Sequence, residues 1–212
     1  MDDVRLEGEL AIPAQARGLV VFAHGSGSSH RSPRNRAVAQ MLHHADFATL
    51  LFDLLTRCEE ACDFDARLRF DIDLLTRRLV AATRWVAQQP ETHGLPLALF
   101  GASTGAAAAL CASVPLGAMI RAIVSRGGRP DLAGTALSSV TAPTLLVVGG
   151  WDDVVIQLNY DALKHLGCEK HLEIVPHATH LFEEPGALEK VGELAQDWFV
   201  RHLPGRAVDA PP

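Results

Sequence analysis

One serine in this sequence has the surroundings that expose a hydroxyl for nucleophilic attack. Residues 97–110 read LALFGASTGAAAAL, so Ser103 is the centre of a Gly-x-Ser-x-Gly motif that follows a short apolar run and precedes a run of alanines. A serine at a sharp strand-to-helix turn projects its hydroxyl, and glycine fits on either side because the two elements pass close together there. The motif therefore predicts Ser103 as a nucleophile on a strained turn.

Partners for such a serine follow two later apolar runs. A histidine base takes the serine proton, and a carboxylate holds that histidine in the right tautomer. The run TLLVVGG precedes Asp152 and Asp153, and the run LEIVP precedes His177 and His180. Adjacent residues at a strand end point in different directions, so one acid alone is expected to reach the base. The residues by themselves leave both choices open.

A glycine- and serine-rich loop follows the first central apolar run. Residues 22–35 read FAHGSGSSHRSPRN, and we call residues 24–29 the Gly/Ser loop. It lacks the lysine of a P-loop and the glycine spacing of a dinucleotide fingerprint, which argues against nucleotide binding. Backbone N–H groups in such a loop stabilise the oxyanion of acyl transfer. We expect the oxyanion donors to be the N–H of Ser26, with Gly27 as second choice, and the N–H of Thr104.

Strand-like and helix-like segments alternate along the chain. Short apolar runs predict strands, with a more polar edge segment at 4–12, and the runs lie at 19–23, 48–52, 97–100, 122–124, 144–148 and 172–175. Helical patterns separate them, with Ser32 and Pro33 starting the first. The alternation predicts an α/β fold, a doubly wound and mostly parallel sheet sandwiched by helices without a large cap domain. Residues 53–71 are expected to be irregular, as a candidate lid.

Length and composition limit the function classes. The 212 residues predict one domain over 1–212, with a core at about 4–203 and a frayed tail at 204–212. A net charge of −6 argues against a nucleic-acid surface, and no apolar stretch or signal peptide indicates a membrane. The four cysteines lack zinc spacing, so we expect reduced thiols, a cytoplasmic location, no metal and no cofactor. A homo-oligomer is neither indicated nor excluded.

Five segments together resemble the α/β-hydrolase superfamily, most closely its small, capless dienelactone-hydrolase-like branch. The similarity covers residues 4–203, and the segments are FAHGSGSSHRSPRN, GASTGAA, SRGGRPDLA, GGWDDVVIQLN and ATHLFEEPGALE. The resemblance implies that the acid is Asp152, in Gly-Gly-x-Asp, and that the base is His180, before Leu-Phe-Glu-Glu-Pro. Dienelactone hydrolases proper have cysteine where this chain has Ser103, so their substrate is not implied. Some relatives of this kind are fused to a phosphoribosyltransferase domain.

Arginines lie on two loops at the expected active-site side of the sheet. Arg31 and Arg34 follow the Gly/Ser loop, and Arg126 and Arg129 follow the run that ends at residue 124. Arginine forks suit carboxylates and phosphates, so we expect an anionic part of the substrate here. Pairing of Arg126 or Arg129 with Asp131 is the structural alternative. The candidate substrate-binding residues are His24, Gly27, Arg31, Arg126 and Arg129.

These residues predict a serine hydrolase. Ser103, Asp152 and His180 would form a triad that acts through an acyl-enzyme on small carboxylic esters, thioesters or lactones. Two alternatives are kept. One is a binding or scaffold protein that has the fold without the activity, and the other is a hydrolase of peptides or amides.

Overall fold

Seven strands between residues 4 and 203, the part of the chain that this computed structural model describes, form one sheet. The strands are β1 (Gly8–Ala11), β2 (Gly18–Ala23), β3 (Phe47–Phe52), β4 (Leu97–Ala102), β5 (Ile120–Arg126), β6 (Thr144–Gly149) and β7 (Lys170–Val175). Their order across the sheet is β1-β3-β2-β4-β5-β6-β7. All neighbours pair in parallel except β1, which runs antiparallel to β3. The expected doubly wound α/β architecture is confirmed.

Helices cover both faces of this sheet. They are α1 (Pro33–His44), α2 (Arg57–Cys62), α3 (Ile72–Ala87), α4 (Thr104–Leu116), α5 (Asp153–His165) and α6 (Ala187–His202). Shorter 3₁₀ segments span Leu68–Phe70, Gly117–Met119 and Pro130–Ser139. No helix of residues 4–203 is long and apolar enough to cross a membrane. The tail expected at 204–212 lies outside the described residues.

The apolar runs form strands that are buried on both faces. Every residue of β2, β3, β4 and β6 is buried. One face packs against α3 and α4, and the other packs against α1 and α6. A fully apolar strand is stable only when both of its faces are covered, which explains the runs without polar alternation. The parallel strands then place their carboxyl ends along one edge of the sheet, where this architecture binds ligands.

The sequence signals at the start of α1 and the end of β4 act as expected. Ser32 caps α1, because its side chain accepts a hydrogen bond from the N–H of Asn35, and Pro33 is the first helical residue. Helix α4 begins at Thr104, directly after the expected nucleophile. Helix α1 therefore begins after the loop that follows β2, and α4 begins after the turn that follows β4. Both loops lie at the edge where the parallel strands end.

The expectation that residues 53–71 are irregular is wrong for the two helical parts, at 57–62 and 68–70, and holds for the turns around them, while the lid remains a prediction. Helix α2 lies in this segment and begins with a capping box between Thr56 and Glu59. Arg78 of α3 holds the helix in place, because its guanidinium donates to both carboxylate oxygens of Glu59 and to the carbonyl oxygen of Leu54. None of the residues of α2 is buried, so the apolar periodicity that marks the other helices is missing here.

Candidate active site

Ser103 has a backbone conformation that an L-residue rarely adopts. Its φ is 51° and its ψ is −120°, between the end of β4 and the start of α4. The turn depends on the two flanking glycines. A Cβ on Gly101 would collide with the backbone of Ala106, and one on Gly105 would collide with the carbonyl oxygen of Ala23. The Gly-x-Ser-x-Gly motif therefore forms the strained turn that its spacing predicts.

Asp152 and His180 meet at the ends of β6 and β7. The Oδ2 atom of Asp152 lies 2.6 Å from Nδ1 of His180. The Trp151 N–H donates to the carbonyl oxygen of Ala178 at 2.9 Å and ties the two loops together. Asp153 is instead exposed in the first turn of α5. A proton on Nδ1 that is donated to Asp152 leaves Nε2 of His180 as the free base nitrogen.

His177 has a different environment. It is exposed, has a positive φ of 61°, and packs its ring edge-to-face against Trp151 with the ring centres 5.5 Å apart. The structure thus brings His180 to the carboxylate and leaves His177 at the outer side of the loop.

Ser103 and His180 flank the same short loop after β5. The N–H of Ser103 donates to the carbonyl oxygen of Arg126 at 3.2 Å, and its carbonyl oxygen accepts from the N–H of Arg129 at 3.1 Å. On the other side of this loop, a Cβ on Gly127 would lie 3.5 Å from Cε1 of His180. Within residues 4–203 no hydrogen bond joins the Ser103 hydroxyl to the imidazole. Hydrogen bonds of this type are often long before a substrate binds.

The Gly/Ser loop contacts the turn after β4 directly. The N–H of Ser26 donates to Oγ1 of Thr104 at 2.9 Å. Gly27 is exposed with a φ of 68°, and a Cβ there would meet no atom within 4 Å. Ser26, Gly27 and Thr104, the three residues considered as oxyanion donors, are therefore neighbours, although the Ser26 N–H is engaged by a side chain.

His24 connects this loop to the segment after β3. Its Nδ1 donates to the carbonyl oxygen of Gly25 at 2.9 Å, and its Nε2 accepts from the N–H of Leu54 at 2.9 Å. Burial lowers the pKa of His24, so the ring is neutral and has this single tautomer. Both ring nitrogens are occupied by backbone groups, which supports a positioning role for His24 in place of direct contact with a substrate.

The arginine that ends β5 and the arginine in the loop after it have different environments. Arg129 makes a forked pair with Asp131, at 2.9 and 2.7 Å, which is the structural alternative that the sequence offered. Arg126 is 8% exposed, and its Nε and Nη1 atoms are buried without a hydrogen-bond partner. Burial and the nearby charge of Arg34 lower the pKa of Arg126 to about 10. Arg126 is thus a buried cation without a counterion among residues 4–203.

Sequence reasoning missed Asp53, which supports the Gly/Ser loop. Asp53 is buried, accepts from the N–H of His30 at 2.6 Å, and lies 2.9 Å from Nδ1 of the same ring. Like Asp152, Asp53 is an acid that follows the carboxyl end of a parallel strand, and this position could have identified it. The ligand atoms of Asp53, His30 and Glu7 lie within 4.8 Å of one another, a group that could hold a metal ion. Glu7 pairs with Arg57 at 2.6 Å, so each acid of this group already has a partner.

Known proteins of similar sequence and structure share this arrangement of elements. The structure of a dienelactone hydrolase from Anabaena variabilis is 56% identical, covers 95% of this chain and 94% of its own chain, and has a TM-score of 0.93. A Xanthomonas campestris serine hydrolase without a lid has a TM-score of 0.75 at 23% identity and covers 98% of this chain and 91% of its own, which shows the fold alone.

Two curated Mycobacterium tuberculosis proteins named "Putative phosphoribosyl transferase" are 57% identical over 202 residues. The match covers 95% of this chain and 45% of theirs, so the chain spans about half the length of these relatives. No protein-family model matches the sequence. The identity to the Anabaena hydrolase over nearly the whole of both chains shows that this chain belongs to the dienelactone hydrolase family, as an enzyme of the small, capless α/β-hydrolase type.

Proposed function

We propose that this protein is a serine hydrolase of small carboxylic esters, thioesters or lactones. The observation that carries the proposal is the pairing of His180 Nδ1 with Asp152 Oδ2 at 2.6 Å beside a serine held at a φ of 51°. A carboxylate on Nδ1 directs the lone pair of Nε2 outward and stabilises the imidazolium that forms when a proton arrives. The positive φ presents the Ser103 hydroxyl at the same sheet edge.

The reaction follows from this placement. Ser103 Oγ attacks the carbonyl carbon, and its proton passes to Nε2 of His180. The imidazolium then gives that proton to the leaving alcohol, and the carbonyl re-forms as an ester on Ser103. Water repeats the sequence, with His180 as the base, and releases the acid. Asp152 keeps its charge throughout.

The oxyanion would be held by two backbone donors. The N–H of Thr104 at the start of α4 is one, and the N–H of Ser26 is our choice for the other. The Ser26 N–H must leave Thr104 Oγ1, to which it donates at 2.9 Å, before it can reach a substrate oxygen. The N–H of Gly27, on the exposed side of the loop, remains the second choice.

The name of the mycobacterial relatives does not lead to a second proposal. That name describes proteins of which this chain matches only 45% of the length. We therefore do not propose phosphoribosyl transfer for this chain. Two alternatives remain to be tested with the experiment below. One is a protein that has this fold and binds a ligand without catalysis, and the other is a hydrolase of peptides or amides.

A matched pair of histidine variants tests the proposal. We expect His180→Ala to lower kcat for 4-nitrophenyl acetate by about 10⁴-fold or more, because the hydroxyl loses its base. His177→Ala, on the same loop, should change kcat by less than about 10-fold. A lethal His177→Ala with a mild His180→Ala would overturn the assignment of the base. Full activity in both variants would refute the Ser-His-Asp mechanism, and no ester or amide hydrolysis by the native protein would refute the hydrolase.

A further inference from the structure

A polar cavity of about 540 Å³ adjoins the proposed reaction centre. Ser26 and Gly27, the two candidates for the second oxyanion donor, form part of its wall. A group bound here would therefore lie next to the scissile bond of a substrate. The remaining lining residues come from the Gly/Ser loop, the start of α1 and the segment after β3, and they are Ser28, Ser29, Arg31, Ser32, Pro33, Arg34, Leu55, Glu60 and Arg69.

Arginines outnumber acids on the wall of the cavity, and Arg31 is the one that lacks an ion pair within residues 4–203. Three arginines and one acid, Glu60, line it. Arg69 is balanced by Asp63 at 2.8 Å. Among the described residues Arg31 has no carboxylate partner, and its Nε instead donates to the ring of His30 at 3.3 Å. Burial and the nearby Asp53 raise the pKa of Glu60, and the charge of Arg69 opposes this shift.

Arg34 is the best-placed cation of the wall. Its Nη1 donates to Glu183 at 2.9 Å across an exposed pair, while its buried Nε finds no hydrogen-bond partner in residues 4–203. Arg126 does not line the cavity, but it has no counterion within residues 4–203, and Arg34 is close enough to lower its pKa. An anion beside Arg34 would offset the repulsion between its guanidinium and the buried guanidinium of Arg126.

The donors fit a phosphate better than a carboxylate. Serine residues at four positions of the wall bring hydroxyl groups, and the first turn of the twelve-residue helix α1 adds the positive end of its dipole. A phosphate monoester offers three acceptor oxygens and nearly two negative charges, whereas a carboxylate offers two oxygens and one charge. The four serine hydroxyl groups and the unpaired Arg31 therefore favour the anion with more acceptor oxygens.

We propose that this cavity binds a phosphate monoester group of the substrate, so that the preferred esters carry a phosphate close to the scissile bond. The statement about preferred substrates rests on the proposed hydrolase function. The binding itself is independent of turnover and is measured separately.

Calorimetric titration of Ser103→Ala with phenyl phosphate and with benzoate tests the site directly. We expect phenyl phosphate to bind at least about 10-fold more tightly than benzoate, because its additional oxygen and charge allow further charge-assisted hydrogen bonds. Adding Arg34→Met should weaken phenyl phosphate by about 10- to 100-fold. The control Arg121→Met removes the same charge from an exposed position at the amino end of β5 and should leave the affinity unchanged.

Glu183→Gln separates a binding role of Arg34 from a structural one. It breaks the same ion pair but leaves the guanidinium, so phenyl phosphate should bind at least as tightly as before. A loss equal to that of Arg34→Met would show that the ion pair merely holds the loops, and would overturn the proposal. Equal affinity for both anions, tighter binding of benzoate, or no binding would also overturn it.

The two proposals fail in different ways. Hydrolysis of 4-nitrophenyl acetate that depends on His180, together with no binding of phenyl phosphate, would refute the phosphate site alone. Tight binding without any esterase activity would refute the hydrolase and leave the site. In the active protein, we expect kcat/KM for 4-nitrophenyl 4-phosphonobutanoate to exceed that for 4-nitrophenyl pentanoate, and Arg34→Met should lower this ratio by about 10-fold or more.

Discussion

Replacing the strained serine by glycine should stabilise the protein relative to replacing it by alanine. Ser103 has a φ of 51° and a ψ of −120°. Alanine keeps the Cβ that makes this conformation unfavourable, whereas glycine adopts it without a steric penalty. Both variants lack the hydroxyl, so the difference between Ser103→Gly and Ser103→Ala isolates the strain at one backbone position.

The magnitude follows from two opposing contributions. A non-glycine residue in so sparsely populated a region costs about 1–3 kcal/mol. Glycine loses more conformational entropy on folding than alanine, which costs about 0.5–1 kcal/mol. The difference leaves Ser103→Gly more stable than Ser103→Ala by about 1 kcal/mol, which corresponds to about 2–4 °C in Tm for a chain of this size.

Urea unfolding and thermal unfolding of the two variants measure this difference, with Ala81→Gly as the control. Ala81 is exposed in the middle of α3, so glycine there should cost about 0.5–1 kcal/mol. The signs at 81 and 103 should therefore be opposite. If Ser103→Gly were less stable than Ser103→Ala by an amount similar to the control, the turn would not be strained and our reading of the motif would be incorrect.

Three further changes have expected outcomes. Asp152→Asn should lower kcat for 4-nitrophenyl acetate by about 10³- to 10⁴-fold with little change in KM, because His180 loses its charge partner, and an unchanged kcat would contradict this. Gly105→Ala should reduce both the yield of folded protein and its esterase activity, because the added methyl group collides with the carbonyl oxygens of Ala23 and His24. A native-like Tm would disprove this close packing. Arg78 lowers the pKa of Glu59 to about 2, so this pair stabilises the fold above pH 4.5 and is lost as the pH falls towards 2. Glu59→Gln should thus cost about 1–3 kcal/mol of unfolding free energy at pH 7 and much less at pH 2.5, and a difference independent of pH would refute the assignment.

Local patterns in the sequence carry much of this fold. The apolar runs predict the central strands β2 to β6, because a strand buried on both faces needs apolar residues throughout. The run at 172–175 also predicts the edge strand β7, although most of its residues are exposed or half-buried. Ser32 and Pro33 mark the start of α1 for an equally local reason. The apolar pattern does not predict helix α2, because the helix buries no residue and so has no apolar stripe. Thr56 and Glu59, which form its capping box, are the local signal that marks its start.

The partners of the candidate site depend on contacts far apart in sequence. Spacing alone did not choose between His177 and His180, and the choice came from the family resemblance. The ring of His180 lies against Asp152, which is 28 residues away, and the pairing of Ser26 with Thr104 spans 78 residues. Such contacts form because the order of the strands in the sheet brings distant loops together, and a short motif does not specify that order. The isolation of Arg126 likewise became visible only in the packed structure.

The central claim is that Ser103 is the nucleophile that His180 activates. Reaction with a fluorophosphonate, followed by mass spectrometry of the tryptic peptide that contains residue 103, tests it most directly. We expect one adduct per chain, located on Ser103, and a labelling rate at least about 10³-fold lower in His180→Ala. An adduct on another residue, or labelling of Ser103 at the same rate without the imidazole, would contradict the claim.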